Sequence, residues 1–202
     1  MLEEVKLTQR KQQSIQTREK IFSTALELFA RKGFYAVTVD KICKSAHISK
    51  GAFYNHFASK EEIIIIEFSK IDKEHLKAFS DLPSDSSGVE KILCFLQATF
   101  KYIGTLGVDV IRVVYQSQIN PEKKGLSITN QQRPLYTVIE TIVKEGQAKN
   151  EFRSDINPEE ITNMIIRALR GAIFDWLLCG GNNDLGSMGN PLISSLLRGL
   201  RA

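Results

Sequence analysis

Little in this chain of 202 residues invites covalent or metal chemistry. Its three cysteines, Cys43, Cys94 and Cys179, are too few and too far apart for a disulfide framework, and no Cys-x-x-Cys pair offers a zinc site. They read as small apolar side chains. The histidines, His47, His56 and His75, form no His-Glu-x-x-His sequence, and no Gly-x-Ser-x-Gly elbow occurs. Gly104-Thr105-Leu106-Gly107 lacks the spacing of a dinucleotide or phosphate loop. No enzyme activity, cofactor or metal is expected; a catalytic pair hidden in a helical cavity is the enzymatic alternative, which turnover assays address.

Long hydrophobic runs are also missing. The strongest is Ile63 to Ile66, and the stretch from Gly171 to Cys179 is broken by Asp175, whereas a bilayer span needs roughly 18 to 20 apolar residues. Met1 to Gln13 is polar and without the apolar segment of a secretion signal. A soluble, cytoplasmic protein with no membrane partner is expected.

What is present is enough apolar material for a sizeable core, 43% of residues, and an uneven charge. Residues 1–60 hold 11 Lys and Arg against 5 Asp and Glu, a balance of +6, and the remainder has 16 against 18, a balance of −2. The basic excess at the front suits contact with a polyanion. Lys6, Arg10 and Lys11 lie in a polar tract, Met1 to Gln16, expected to be a flexible basic arm, either tracking phosphates or the minor groove or simply a frayed tail.

Apolar spacing is helical throughout. Ile21, Ala25, Leu28 and Phe29 fall on one face of a helix from Thr17 to Lys32, stopped by Gly33. Val39, Ile42, Cys43 and Ala46 repeat likewise behind Thr38, an N-cap type. After His47 and Ile48 comes a second N-cap type, Ser49, and a helix from Lys50 to Phe57 with Phe53 and Phe57 on its inner side. Ser59-Lys60-Glu61-Glu62 fits a capping box opening a fourth helix, 60–79. Leu82 to Gly88 is a breaker segment. Five further helices are expected at Val89 to Ile103, Val108 to Gln118, Asn130 to Lys149, Pro158 to Cys179 and Asn190 to Leu200. The fold class is all-α, about nine helices, divided as an arm (1–16), a helix-turn-helix (17–62, the fourth helix connecting) and a larger helical domain (63–202).

One short helix carries the functional signal. On a wheel of 100° per residue, Gly51, Ala52, Asn55 and Ala58 oppose Phe53 and Phe57. A small, polar outer face suits entry into a major groove, where Asn55 would pair bidentately with adenine and Ala52 would meet a thymine methyl. Lys50 would reach a guanine edge or a phosphate; Tyr54 and His56, at the flanks, suit phosphates better than bases. Thr38, Ser49 and Lys60, at helix N-termini, would complete the clamp, since helix amides favour anions.

The run Thr38-Val39-Asp40-Lys41-Ile42-Cys43-Lys44-Ser45-Ala46-His47-Ile48-Ser49-Lys50-Gly51-Ala52-Phe53-Tyr54-Asn55-His56-Phe57, with Ala58-Ser59-Lys60-Glu61-Glu62-Ile63 after it, resembles the signature of the tetracycline-repressor (TetR) family. Members commonly have alanine at Cys43 and glycine at His47; histidine tolerates the left-handed region better than most residues, so the turn is expected to survive. The resemblance spans about fifty residues, Ile21 to about Lys70. It implies a homodimeric transcriptional regulator that binds double-stranded, palindromic operator DNA. It also implies C-terminal helices that enclose a small-molecule effector pocket and dimerise through the last two long helices, and most often repression relieved by the effector.

The remaining residues offer candidates for both roles. Phe95, Phe100, Tyr102, Tyr115, Tyr136 and Trp176 are aromatic residues on the central helices, suited to an apolar pocket or, alternatively, to the core; Arg112, Arg167 and Arg170 suit solvated or interface salt bridges or, alternatively, pairing with an acidic effector. Ala168, Gly171 and Ala172 allow close helix approach, and Ile193, Leu196, Leu197 and Leu200 form a stripe on the last helix; these seven are the expected dimer interface, with completion of the monomer core as the alternative. Effector binding is expected to swing the fourth helix and change the separation of the two reading heads. A constitutive dimeric DNA-binding protein without an effector is the alternative function.

Overall fold

The computed structural model describes residues 9–119 and 127–202, and among them nine α-helices and no strand occur. They are α1 Gln9–Lys32, α2 Val39–Ala46, α3 Lys50–Tyr54, α4 Lys60–Ser80, α5 Gly88–Leu106, α6 Val108–Ile119, α7 Pro134–Ala148, α8 Pro158–Leu178 and α9 Leu185–Gly199.

The helices start where the sequence supplies acceptors for amides that have no partner inside the helix. Thr38 Oγ1 accepts from Lys41 N–H, Ser49 Oγ from Ala52 N–H, Asn157 Oδ1 from Glu160 N–H and Asp184 Oδ2 from Ser187 N–H. A reciprocal capping box opens α5, between Ser87 and Glu90. At α4 the expected box is shifted: the Glu62 carboxylate accepts from the N–H of Ala58, not of Ser59.

Several boundaries differ from those predicted, each for a local reason. Residues 9–16 form the first turns of α1 and are not a loose arm; Arg10 and Lys11 are exposed on that helix, while Lys6 lies outside the described residues. Helix α7 begins at Pro134 because Asn130 folds into a turn, its Oδ1 accepting from Gln132 N–H, and proline fits the first helical position. Helix α9 begins at Leu185, well before Asn190, because Asp184 caps it and the exposed Pro191 is accommodated inside the helix. Helix α3 ends at Tyr54, and the following residues tighten, His56 N–H bonding to the Phe53 carbonyl.

The chain divides into two units, one of residues 1–67 and 112–123 and the other of 68–111 and 124–202, so the divisions fall inside α4 and α6 and not at the predicted 62/63 boundary. In the first unit Ile21, Ala25 and Phe29 of α1, Ile42 and Ala46 of α2, Phe53 of α3 and Phe57 are buried together with Phe34 and Val37. Phe29 and Phe34 meet edge to face at 4.9 Å, and Phe53 and Phe57 lie 5.8 Å apart. Tyr35 Oη donates to the Gln116 carbonyl at 3.0 Å, tying the turn after α1 to α6.

In the second unit α5, α7, α8 and α9 contribute the core, including Phe95, Phe100, Ile139, Ile142, Ile165, Leu169, Ile193 and Leu197. Gly189 of α9 lies against Phe100 so closely that an added Cβ would come 2.2 Å from its ring. Arg133 reaches across to α4, where Nε and Nη2 donate to the Asp72 carboxylate, Nη2 at 2.9 Å. His75, one turn further along α4, is buried, and its ring lies 5.7 Å from that of Phe95.

Burial, with the Arg133 guanidinium nearby, pushes the His75 imidazole down to about 4 from its usual 6.5. As pH falls, the unfolded chain takes up this proton first. The stability involved is therefore whole above about pH 6.5 and lost by about pH 4, and amounts to roughly 3 kcal/mol. His75→Phe is expected to flatten the fall in denaturation free energy across that window; an unchanged slope would show that His75 does not stay neutral and buried.

Candidate nucleic-acid interface

The first unit presents α2 and α3 as a helix-turn-helix. His47 closes α2 in the left-handed region, φ 53 and ψ 50, its N–H bonded to the Lys44 carbonyl, so the turn survives without the glycine that members of the resembled family commonly carry there. Only two residues, Ile48 and Ser49, then separate it from α3.

Helix α3 is held from behind by Phe53, 0% exposed, and Phe57, 1% exposed, and the latter also stacks beneath Arg18, 5.1 Å from its ring centre. On the outer side Ser49, Lys50, Gly51, Tyr54 and Asn55 are exposed, while Ala52 and His56 are half-buried. A Cβ added at Gly51 would meet nothing nearer than Ser49 Oγ at 3.8 Å, so nothing within the fold requires glycine there. Asn55 is the C-cap of α3, with its N–H bonded to the Gly51 carbonyl.

Two of the predicted contacts have partners inside the protein. Lys50 Nζ lies 2.8 Å from Asp40 Oδ1 at the surface, and the hydrogen bond to Asp40 holds its ammonium above the usual lysine range. Lys60 donates to the carbonyls of Phe34 and Val37, at 2.8 and 2.7 Å, and sits 4.5 Å from the Phe34 ring centre. Its ammonium thus closes the turn after α1. Thr38 and Ser49 are likewise engaged as caps, yet both remain at the surface beside the outer face of α3.

The expected pocket and dimer residues fare differently. Phe95, Phe100, Tyr136 and Trp176 are buried core: Tyr136 Oη accepts from Arg170 and Trp176 Nε1 donates to the Asn183 carbonyl. Tyr115 falls in the first unit. Tyr102 borders a cleft, beside Thr99 and His75. Their aromatic spacing signalled core packing, which looks the same in sequence. Similarly, Ala172, Ile193, Leu197 and Leu200 are buried within the single chain because the α9 stripe faces α5 and α8. Gly171 is exposed, and Ala168 and Leu196 are half-buried. Beside them Phe174, Leu178 and Leu192 leave large apolar surface exposed, at 48%, 69% and 47%. Phe174 and Leu178 belong to the apolar C-terminal half of the Pro158 to Cys179 helix, three and seven residues beyond Gly171, whereas Leu192 carries no such sequence signal.

His75 was also passed over, and its signal was a histidine four residues beyond Ile71 on the buried side of α4. Among the described residues no cluster of His, Cys, Asp or Glu is arranged for a metal, and no helix is long and apolar enough to cross a membrane.

Residues 21–65 match the bacterial regulatory proteins of the tetR family, and residues 69–199 match the YsiA-like protein C-terminal region. The chain is 24% identical to the HTH-type transcriptional regulator UidR of Escherichia coli over 160 residues, 79% of this chain and 81% of that protein. It is 28% identical to the HTH-type transcriptional repressor KstR2 of Mycolicibacterium smegmatis, covering 91% of this chain and 90% of that one. Among solved structures it resembles the transcriptional regulator FadR from Bacillus subtilis in complex with stearoyl-CoA, with a TM-score of 0.75 at 21% identity, over 91% of this chain and 99% of that one. With an all-α fold, a helix-turn-helix whose outer side is small and polar, and family matches over both parts, the chain belongs to the TetR family of DNA-binding bacterial transcriptional regulators and is not an enzyme.

Proposed function

We propose that the protein is a cytoplasmic homodimer that represses transcription by binding a palindromic operator and is released when a small-molecule effector binds its second unit. The observation that carries the DNA part is the exposed face of α3, with Gly51 and Asn55 at the surface and Phe53 and Phe57 anchoring it. Asn55 reads a base edge, Ala52 lines the approach, and Tyr54, His56, Thr38 and Ser49 hold phosphates. Lys50 exchanges Asp40 for a phosphate, whereas Lys60 acts by shaping the turn.

The exposed Phe174, Leu178 and Leu192, with Gly171 and Leu196, form the contact between protomers, since apolar side chains so open gain from a second copy. A two-fold pair places its reading helices about 34 Å apart, one turn of duplex. Selection of bound sites from random duplex DNA tests this: two inverted half-sites are expected, and single, unpaired half-sites would contradict the dimer.

Gly51 supplies a sharper test. Gly51→Ala is expected to leave stability unchanged or raise it by up to about 1 kcal/mol, because alanine suits a helix better. The same change is expected to weaken operator binding at least tenfold if the helix backbone lies close to the bases. Unaltered affinity, read by fluorescence anisotropy, would place α3 away from the groove floor.

Helix α4 contributes residues to both units, and an effector that favours one arrangement of α4 shifts the population of DNA-binding dimers. Acyl-CoA thioesters, of the kind bound in the FadR structure, are the first probes. A ligand that raises the melting temperature and releases operator supports the sensor reading; operator binding indifferent to every ligand that stabilises the fold favours a constitutive regulator.

A further inference from the structure

We propose that the cleft between α4 and α5 binds a small neutral molecule carrying one hydroxyl group on an apolar body, with His75 as its hydrogen-bonding anchor. The inference rests on the reading that the second unit senses an effector, and gives that effector a place and a chemistry. His75 is buried, yet neither Nδ1 nor Nε2 has a hydrogen-bond partner. The nearest carboxylate oxygen, Asp72 Oδ1, is 4.0 Å from Nδ1, too far for a hydrogen bond, and is already held by Arg133. A buried imidazole unpaired at both nitrogens is unfavourable, and a hydroxyl group from outside the chain relieves this at one of them.

The cleft that His75 lines has a volume of about 120 Å³. This is several times the roughly 30 Å³ share of a water molecule and approaches the size of cavities that admit a benzene ring. Its walls include Ala78, Ala98 and Tyr102, and Thr99 Oγ1 is already committed as a donor to the Phe95 carbonyl.

Charge decides the class of guest. Glu74, Lys77 and Asp81 all line the cleft, and behind His75 the Asp72 carboxylate is already paired with Arg133, so the charge beside the imidazole is matched and calls for no ionic guest. A neutral imidazole has a donor nitrogen and an acceptor nitrogen that point apart, and a hydroxyl group, able to donate or to accept, pairs with whichever of the two it meets.

Phenol is the probe, toluene its control of equal shape, and the full-length protein carries ¹⁵N-labelled histidine. Phenol is expected to shift the His75 ring nitrogens and to bind about fivefold to tenfold more tightly than toluene, the value of one hydrogen bond to the ring. In His75→Phe the two should bind alike. Ala98→Leu, which fills the cleft from its exposed wall without touching the imidazole, should abolish binding of both. Unmoved His75 resonances up to the solubility of phenol, or equal affinity of phenol and toluene for the native chain, would overturn the proposal. Operator binding separates the two levels: phenol seated at His75 with operator retained supports the site and counts against its coupling to DNA release. Operator release by another compound, with phenol giving no response at His75, does the opposite.

Discussion

Phe53→Ala is expected to destabilise the protein by about 4 kcal/mol and to remove operator binding at every salt concentration. The ring is 0% exposed and meets Phe57 at 5.8 Å and Tyr54 edge-on at 5.5 Å. Truncating it removes apolar burial and leaves a cavity that short neighbouring elements cannot fill, the combination behind losses of about 3–5 kcal/mol for buried phenylalanines. Because α3 is only five residues long, it cannot hold itself together by its own hydrogen bonds. Its orientation derives from Phe53 and Phe57, so stability and DNA affinity should fall together. Chemical denaturation and anisotropy on the same sample check this, and a variant that lost stability but kept full affinity would show the helix is held by something else.

Arg133→Met is expected to cost about 3 kcal/mol by leaving the Asp72 carboxylate without its partner. The pair is nearly sealed, with side-chain exposures of 8% for Arg133 and 20% for Asp72, and it bridges the start of α7 to α4. Removing both charges in Asp72→Leu/Arg133→Met should recover most of the loss, since two apolar side chains satisfy each other where one lone carboxylate cannot. A double variant as unstable as the sum of the single ones would mean that the ion pair is not what couples these helices.

How much of this was legible before the structure depended on the range of the interaction. Thr38 and Ser49 as caps, the left-handed His47 and the two faces of α3 are local matters, fixed by residues three or four apart, and each is found where the sequence places it. The starts of α7 and α9 were misread because Asn130 and Asp184 compete for nearby backbone amides, and an apolar period does not report such competition. The α9 stripe of Ile193, Leu197 and Leu200 was assigned to a partner chain, yet it is buried by α5 and α8 of its own. Periodicity shows that a face is covered, not by which helix. Asp72 and Arg133 are 61 residues apart and carry no local signal. His75 was visible as a polar residue on an apolar face, but its unpaired nitrogens are a property of packing alone.

The central claim concerns the outer side of α3, and Asn55→Ala tests it most directly. Binding of the native and altered proteins to the selected operator, to single-base variants of it and to unrelated duplex is compared across a range of salt concentrations. Loss confined to the operator and to one position in each half-site, with the salt dependence kept, is the predicted result, because a base contact carries specificity and phosphate contacts carry the salt term. Equal weakening on all duplexes, or no binding of the native protein even in dilute salt, would contradict the account.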